Sequence, residues 1–331
     1  MTNVGERSYG QALNSALADS MRADDRVVLI GEDIGAPGGP FGVTAGLYER
    51  FGERRVIDFP VSEASLIGTA LGLALGGYKP VVEIMFMDFC TLAMDGLVNQ
   101  VAKTHYMFGG QNAVPMVVRM PHGGGMSAGA QHSQCLEAWF AHIPGLQVVC
   151  PSSPEDAYQL MMQAIGNPNP VIFIEHKSLY ATSADFSAEP LPSGDRAARI
   201  VHEGTDVTVV TYGAAVAWAL ASAEQLKIDG IHIEIVDLRS LQPWDESTVL
   251  TSIAKTHRLV VYHEGVEQFG VGAEIAACMA DRAFHELVAP IRRLGAPFVP
   301  VPYAPQLEEQ YLPCANDLIE TIRKLLQTAE A

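Results

Sequence analysis

An α/β architecture of two doubly wound domains follows from three features of the 331-residue sequence. Short, continuous apolar runs alternate with segments of helical periodicity, as expected for parallel strands covered on both faces. The alternation occurs twice, and a polar stretch bearing Pro and Gly, residues 181–204, separates the two series. The apolar share of 48% over this length is enough to build two cores of ordinary size. The division this predicts is a first domain over 1–190, a linker over 191–204 and a second domain over 205–331.

Residues 9–21 place Leu13, Ala16, Leu17 and Met21 at helical spacing, and 27–30 (VVLI) read as a buried strand ending at Gly31-Glu32-Asp33. The run GAPGGPFG over 35–42 is a loop by composition. A helix over 62–77 precedes a strand over 80–85 and a long helix from about 89 to 106. A strand over 116–119 leads into a glycine-rich loop over 121–129. Strands over 147–149 and 171–174 flank a helix starting near Pro154. After the polar stretch, strands are expected over 206–211, 231–236, 259–262 and 291–294. Helices are expected over 214–226, 246–255, 272–284 and 315–326.

Charge narrows the function classes. With 21 Lys+Arg against 38 Asp+Glu, the formal net charge is −17, spread over both halves. This excludes a nucleic-acid surface and a polybasic membrane contact, each of which needs clustered cations. The N-terminus lacks the apolar core of a signal peptide, and the most apolar stretch, 64–77, is too short and glycine-rich to span a bilayer. Five scattered cysteines without a CxxC pair suit a reducing cytoplasm rather than a disulfide framework or zinc site.

Common motifs are missing. No G-x-G-x-x-G follows a strand, and no P-loop occurs. Gly125-Met126-Ser127-Ala128-Gly129 matches the nucleophile elbow of serine hydrolases, but that motif needs a sharp strand-to-helix turn, and here the expected strand ends at Arg119. A serine hydrolase acting through Ser127 is therefore the outlying alternative.

The helix beginning at Ser62 is apolar almost all round, with Ser62 as its expected N-cap and Glu63 in its first turn. Gly68, Gly72 and Gly76 fall on one face, where each costs about 1 kcal/mol relative to alanine. Close approach by another helix would offset that cost. Read from residues alone, this is either an ordinary core helix with Glu63 near the positive end of its dipole, or a helix presenting a carboxyl to a ligand.

The runs VVLIGEDIG, RVIDFPVSEASLIGTALGLALGGYKPVVEIMFMDF, AQHSQCLEAWFAHIPGLQVVCPSSPEDA, NPVIFIEHKSLY and VTVVTYG carry a resemblance over nearly the whole chain. The sequence resembles the beta subunits of the decarboxylating first component of 2-oxo acid and acetoin dehydrogenase complexes, a thiamine-diphosphate-dependent, transketolase-like group. The resemblance implies a pyrimidine-binding domain followed by a transketolase C-terminal domain, and gives the glycine face a role in packing at subunit interfaces. It implies that Glu63 hydrogen-bonds N1′ of the aminopyrimidine. A carboxyl proton shared there favours the imino tautomer that takes the proton from thiazolium C2, which calls for a largely apolar pocket. Phe89 falls at the position that stacks on the pyrimidine, with Val61 beside the same ring. His132 matches the active-site histidine, placed to donate to a substrate oxygen or to serve acyl transfer to a lipoyl group. Met116, Ala164, Asn167 and Asn169 match positions that hold a potassium ion, although Asn167 stands where an aspartate is frequent.

The superfamily holds the diphosphate through Mg²⁺ on a G-D-G…N motif. This chain has only Gly194-Asp195-Arg196, within the linker. The resemblance therefore implies an alpha subunit carrying Mg²⁺, in a heterotetramer of two alpha and two beta chains, and docking of the C-terminal domain on a dihydrolipoyl acyltransferase core. An acidic surface would favour a basic docking partner and make that association salt-sensitive. The runs FMDF, YMFGG and FIEHKSLY look closer to acetoin and branched-chain relatives than to animal pyruvate enzymes. A catalytically silent assembly subunit of the same complex is the other alternative; retention of Glu63, Phe89 and His132 argues against it.

Overall fold

The computed structural model describes residues 5–186 and 197–328. Most of the expected linker, including the Gly194-Asp195-Arg196 run, lies outside the described residues. Within them the elements run β1 Gly5–Ser8, α1 Tyr9–Ala23, β2 Val27–Gly31, α2 Leu47–Phe51, β3 Val56–Asp58, α3 Glu63–Leu75 and β4 Lys79–Glu83. Then come α4 Thr104–Met107, β5 Val117–His122, α5 Glu137–Ala141, β6 Gln147–Val149, α6 Pro154–Gly166, β7 Val171–His176 and β8 Ser183–Phe186. The series closes with β9 Arg199–His202, β10 Val207–Thr211, α7 Ala215–Ile228, β11 Ile233–Asp237, β12 Ser240–Gln242, α8 Glu246–Thr256, β13 Leu259–Val266, α9 Val271–Arg282, β14 Arg292–Ala296, α10 Pro305–Tyr311 and α11 Ala315–Thr328.

Contacts divide the chain into two units, and the division does not follow the sequence simply. Residues 5–122 and 139–186 make the first, and residues 123–138 join 197–328 in the second. In the first unit a parallel sheet runs β6-β7-β5-β4-β2-β3. Every residue of β2, β5 and β7 is buried, which is why β2 reads as an unbroken apolar run; β5 and β7 also bury Arg119 and Glu175. Helix α1 starts at a capping box, in which Ser8 and Gln11 satisfy each other's backbone amides, and packs on α6. Helix α6 starts where Ser153 caps the Asp156 amide and Pro154 takes the first turn. In the second unit the sheet order is β14-β13-β10-β11-β9, parallel except for β9.

Three expectations differ from the structure. The helix expected over 89–106 is divided into a 3₁₀ helix at Met87–Ala93, a π turn at Gly96–Val101 and α4. The ladder widens at Gly96, where a Cβ would come 2.9 Å from Ile67 Cγ2 of α3, so backbone packs where a regular helix would carry a side chain. Residues 199–202, within the stretch read as connecting, form the antiparallel edge strand β9. The face of α3 carrying Gly68 and Gly72 meets nothing within 4 Å of an added Cβ, so no helix among the described residues supplies the close approach.

Candidate active site

Glu32, Glu63 and Phe89 follow the carboxyl ends of β2, β3 and β4 in the first unit, as expected for an open α/β sheet, whereas Met116 and Asn169 precede β5 and β7. Glu32 directly follows β2 and is buried; its Oε1 accepts the Ser62 amide at 3.0 Å. The amide at the start of α3 is thus held by this carboxylate. The expected cap is not made: the Ser62 hydroxyl instead donates to Ser65 Oγ at 3.0 Å. Burial raises the Glu32 pKa, the Ser62 amide opposes that shift, and the negative charge of Glu63 adds to it.

Glu63 is only 5% exposed, and its carboxyl has no hydrogen-bond partner among the described residues. Its oxygens keep some contact with solvent, and a ligand donor or acceptor would satisfy them. The thiamine pyrimidine N1′ implied by the sequence fits that need. Phe89 is half-buried on the 3₁₀ helix that packs on α3. Its ring meets Phe86 edge-on at 5.6 Å, and Phe86 in turn lies against Phe41 at 5.6 Å and under Lys177 Nζ at 5.3 Å. Phe89 is therefore backed by a stack of side chains, which suits a surface for a planar ring. Val61 is 77% exposed, an apolar side chain beside Glu63 and open to a ligand.

His132 belongs to the second unit, in the loop between β5 and α5. It is half-buried, and its amide donates to the Gly129 carbonyl at 3.3 Å. Ser127 lies in the same loop with φ +52°, and no helix begins until Glu137. The strand-turn-helix of a hydrolase nucleophile is therefore not formed around Ser127.

Hydrogen bonds link three of the four candidate cation positions, while Met116 bonds Val171. Asn169 N donates to Asn167 Oδ1 at 2.9 Å, Asn167 N to the Ala164 carbonyl at 3.2 Å, and Val171 N to the Met116 carbonyl at 2.9 Å. Each oxygen already accepts one amide and keeps a second lone pair, and an all-oxygen set suits a hard cation.

Sequence reasoning missed the pairing of His122, expected in the loop after β5, with His176, and the burial of His263. His122 and His176 close β5 and β7 in register, and their buried rings meet edge-on at 5.2 Å. The available signal was a histidine ending each of two apolar strands. In the second unit, His263 is buried against Tyr212, with ring centroids 5.8 Å apart, and Tyr212 donates to Glu137 Oε1 at 2.8 Å. Burial pulls the His263 pKa from 6.5 down to about 4. The unfolded chain therefore binds the extra proton between those values. This contribution to stability is intact above pH 6.5 and is lost as pH falls toward 4, at about 1.4 kcal/mol per pH unit. His263→Asn is expected to flatten that slope relative to wild type in urea unfolding at pH 7, 6 and 5. Equal slopes would refute the assignment.

Comparison with known proteins identifies two domain types in the chain. Residues 6–182 match the transketolase pyrimidine binding domain, and residues 196–318 match the transketolase C-terminal domain. Relatives include the pyruvate dehydrogenase E1 component subunit beta of Rickettsia felis, 44% identical over 95% of this chain and 97% of that protein. The mitochondrial subunit beta-2 of Oryza sativa subsp. japonica is 42% identical over 96% of this chain and 86% of its own length. The beta subunit of acetoin:2,6-dichlorophenolindophenol oxidoreductase from Cupriavidus necator is 44% identical over 96% of both chains.

The chain belongs to the family of pyruvate and acetoin dehydrogenase E1 beta subunits.

The fold of this family member also matches a solved split-gene transketolase, described as an inactive beta4 tetramer, with a TM-score of 0.81 over 97% of this chain and 98% of that one, at 23% identity. Pyruvate and acetoin relatives stand at the same 44% identity, so overall similarity does not separate the two substrates. No helix among the described residues is long and apolar enough to cross a membrane, and no disulfide joins the five cysteines.

Proposed function

We propose that this chain is the beta half of a thiamine-diphosphate-dependent dehydrogenase component that cleaves a carbon–carbon bond next to a carbonyl and passes the acyl unit to a lipoyl group. The observation that carries the reading is Glu63, a buried carboxyl without a hydrogen-bond partner among the described residues, in the first turn of an apolar helix of a pyrimidine-binding domain. When bound, thiamine diphosphate supplies the carbon nucleophile that attacks the substrate carbonyl. Glu63 holds a proton toward N1′ of its aminopyrimidine, and Phe89 and Val61 flank the ring. His132 donates to a substrate oxygen or serves acyl transfer.

Residues 1–190 are assigned to the pyrimidine side and 205–331 to the C-terminal domain, joined by 191–204. The Mg²⁺ and diphosphate belong to an alpha subunit, because this sequence has no G-D-G motif. The assembly is a heterotetramer of two alpha and two beta chains, and the exposed glycine face of α3 suits burial in it. The C-terminal domain docks a dihydrolipoyl acyltransferase core, and Met116, Ala164, Asn167 and Asn169 hold potassium. A reducing cytoplasm is the setting.

Co-expression with a cognate alpha subunit, followed by assay with pyruvate, acetoin and branched-chain 2-oxo acids, tests the reading. Turnover of one of these in the presence of thiamine diphosphate and Mg²⁺ is expected. A pure alpha–beta complex that binds the cofactor and turns over none of them would make the chain a silent assembly subunit.

A further inference from the structure

The loop that carries His132 is built from residues that do not hold a shape by themselves. Gly123, Gly124, Gly125 and Gly129 lie within seven positions. Gly125 (φ +88°), Ser127 (φ +52°) and Gly129 (φ +76°) all adopt left-handed backbone. Such a loop has much conformational freedom to lose, and the serine conformation is itself unfavourable, so neighbours must fix it.

Two buried carboxylates of the second unit do so. Glu308, on α10, is 3% exposed. Its Oε1 accepts the Gly125 amide at 2.9 Å, and its Oε2 accepts the Ser127 amide at 2.8 Å and the Ser127 hydroxyl at 3.2 Å. Glu264, on β13, accepts the Gly124 amide at 2.6 Å and the Cys135 thiol at 3.6 Å through one oxygen. The loop is thus gripped on both sides of His132. It also lies flat on its support: a Cβ at Gly124 would come 2.9 Å from Leu312 Cδ2, and one at Gly129 would come 2.9 Å from Tyr303 Cδ2. From Gly129 the restraint reaches His132 directly, because the His132 amide donates to the Gly129 carbonyl.

We propose that Glu308, with Glu264 as the second anchor, is a positioning residue that fixes the His132 loop for the chemical steps. The proposal rests on the role given to His132 above. Glu308 itself touches no reacting atom. Its two oxygens hold three donors on two loop residues, the Gly125 amide and the Ser127 amide and hydroxyl, and misplacement of a catalytic group by about 1 Å costs on the order of a hundredfold in rate.

The test uses the reconstituted alpha–beta complex. In Glu308→Gln one oxygen acceptor remains, and the amide NH₂ faces loop donors on the other side. Acyl transfer to the lipoyl domain is expected to fall about ten- to hundredfold in kcat, with KM changed by less than about threefold and cofactor affinity unchanged. Hydrogen exchange is expected to rise in peptides covering 123–131 and to stay the same in β10 and β11. In a His132→Ala background the Glu308→Gln change is expected to add less than about twofold, because both act through one group. Equal losses in both backgrounds, or a loss without faster exchange in the loop, would overturn the proposal. If Glu308→Gln fails to fold, Gly129→Ala displaces the loop against Tyr303 with both carboxylates intact and must show the same dependence on His132. Full activity in His132→Ala would also overturn the proposal by removing the group that is positioned; it would leave the Glu63-based reading standing, whereas inactivity of the wild-type complex on every substrate would remove that reading first.

Discussion

Glu63→Gln in the reconstituted complex is expected to lower turnover at least about a hundredfold while leaving the unfolding midpoint nearly unchanged. Glutamine keeps the size of the side chain and its ability to accept a hydrogen bond, but it holds no exchangeable acidic proton, so general acid–base assistance worth about 10²–10⁴ is lost. Most buried charged residues are also structural, and replacing one usually costs stability. Glu63 differs, because its carboxyl has no hydrogen bond within the described residues that the substitution would break. Removing its charge also relieves Glu32, whose pKa that charge pushes upward. The two readouts therefore separate. Steady-state turnover with thiamine diphosphate in excess reports the proton function, and thermal unfolding of the same preparation reports the fold. Undiminished turnover would end the mechanism proposed for Glu63. A matching loss of stability would make Glu63 a structural residue.

The elements legible in the sequence are those that local pattern alone determines. Residues 27–30 and 171–174 read as strands because both faces are buried and no polar residue interrupts them. Helix α6 read from Pro154 because Ser153, Pro154 and the acidic first turn are contiguous. Local pattern also places Glu63 in the first turn of an apolar helix, while its proposed role comes from the family resemblance. The features that were not legible depend on distant partners. The Ser62 amide is bound by Glu32, thirty positions earlier, so a serine that looks like a cap does not act as one. Strand β1 exists because it pairs with β8 at the far end of the same unit. Residues 123–138 read as part of the first domain but belong to the second unit, since the glutamates that bind them, Glu264 and Glu308, lie far along the chain. No period or motif marks a carboxylate whose partners are backbone amides of another segment.

The largest effect on stability is expected at Arg119. Its side chain is 1% exposed on β5, in the middle of the first sheet. Nε and Nη2 form a two-pronged contact with Glu175 Oε1 and Oε2, each at 2.7 Å, and Nη1 bonds Glu83. Tyr180 also donates to Glu175, at 2.7 Å. Arg119→Leu fills part of the space but leaves two buried carboxyls without their cation, and breaking such a pair typically costs about 3–5 kcal/mol. Burial already raises the Glu83 pKa, with Arg119 as the main opposing influence, so without the arginine this carboxyl takes up a proton more readily. A carboxyl whose folded pKa lies above its unfolded value binds more protons folded than unfolded, so the variant gains stability as pH falls from 7 toward 5. Its urea midpoint, far below wild type at pH 7, is therefore expected to recover partly at pH 5; a deficit that does not change with pH would mean lost packing rather than stranded charge. The damage is not confined to the sheet. Tyr180 stacks on Phe41 at 5.0 Å, Phe41 meets Phe86, and Phe86 backs Phe89. Since the ring proposed to carry the pyrimidine rests on this chain of contacts, thiamine diphosphate affinity in the variant complex is expected to weaken at urea concentrations where far-UV circular dichroism is still native.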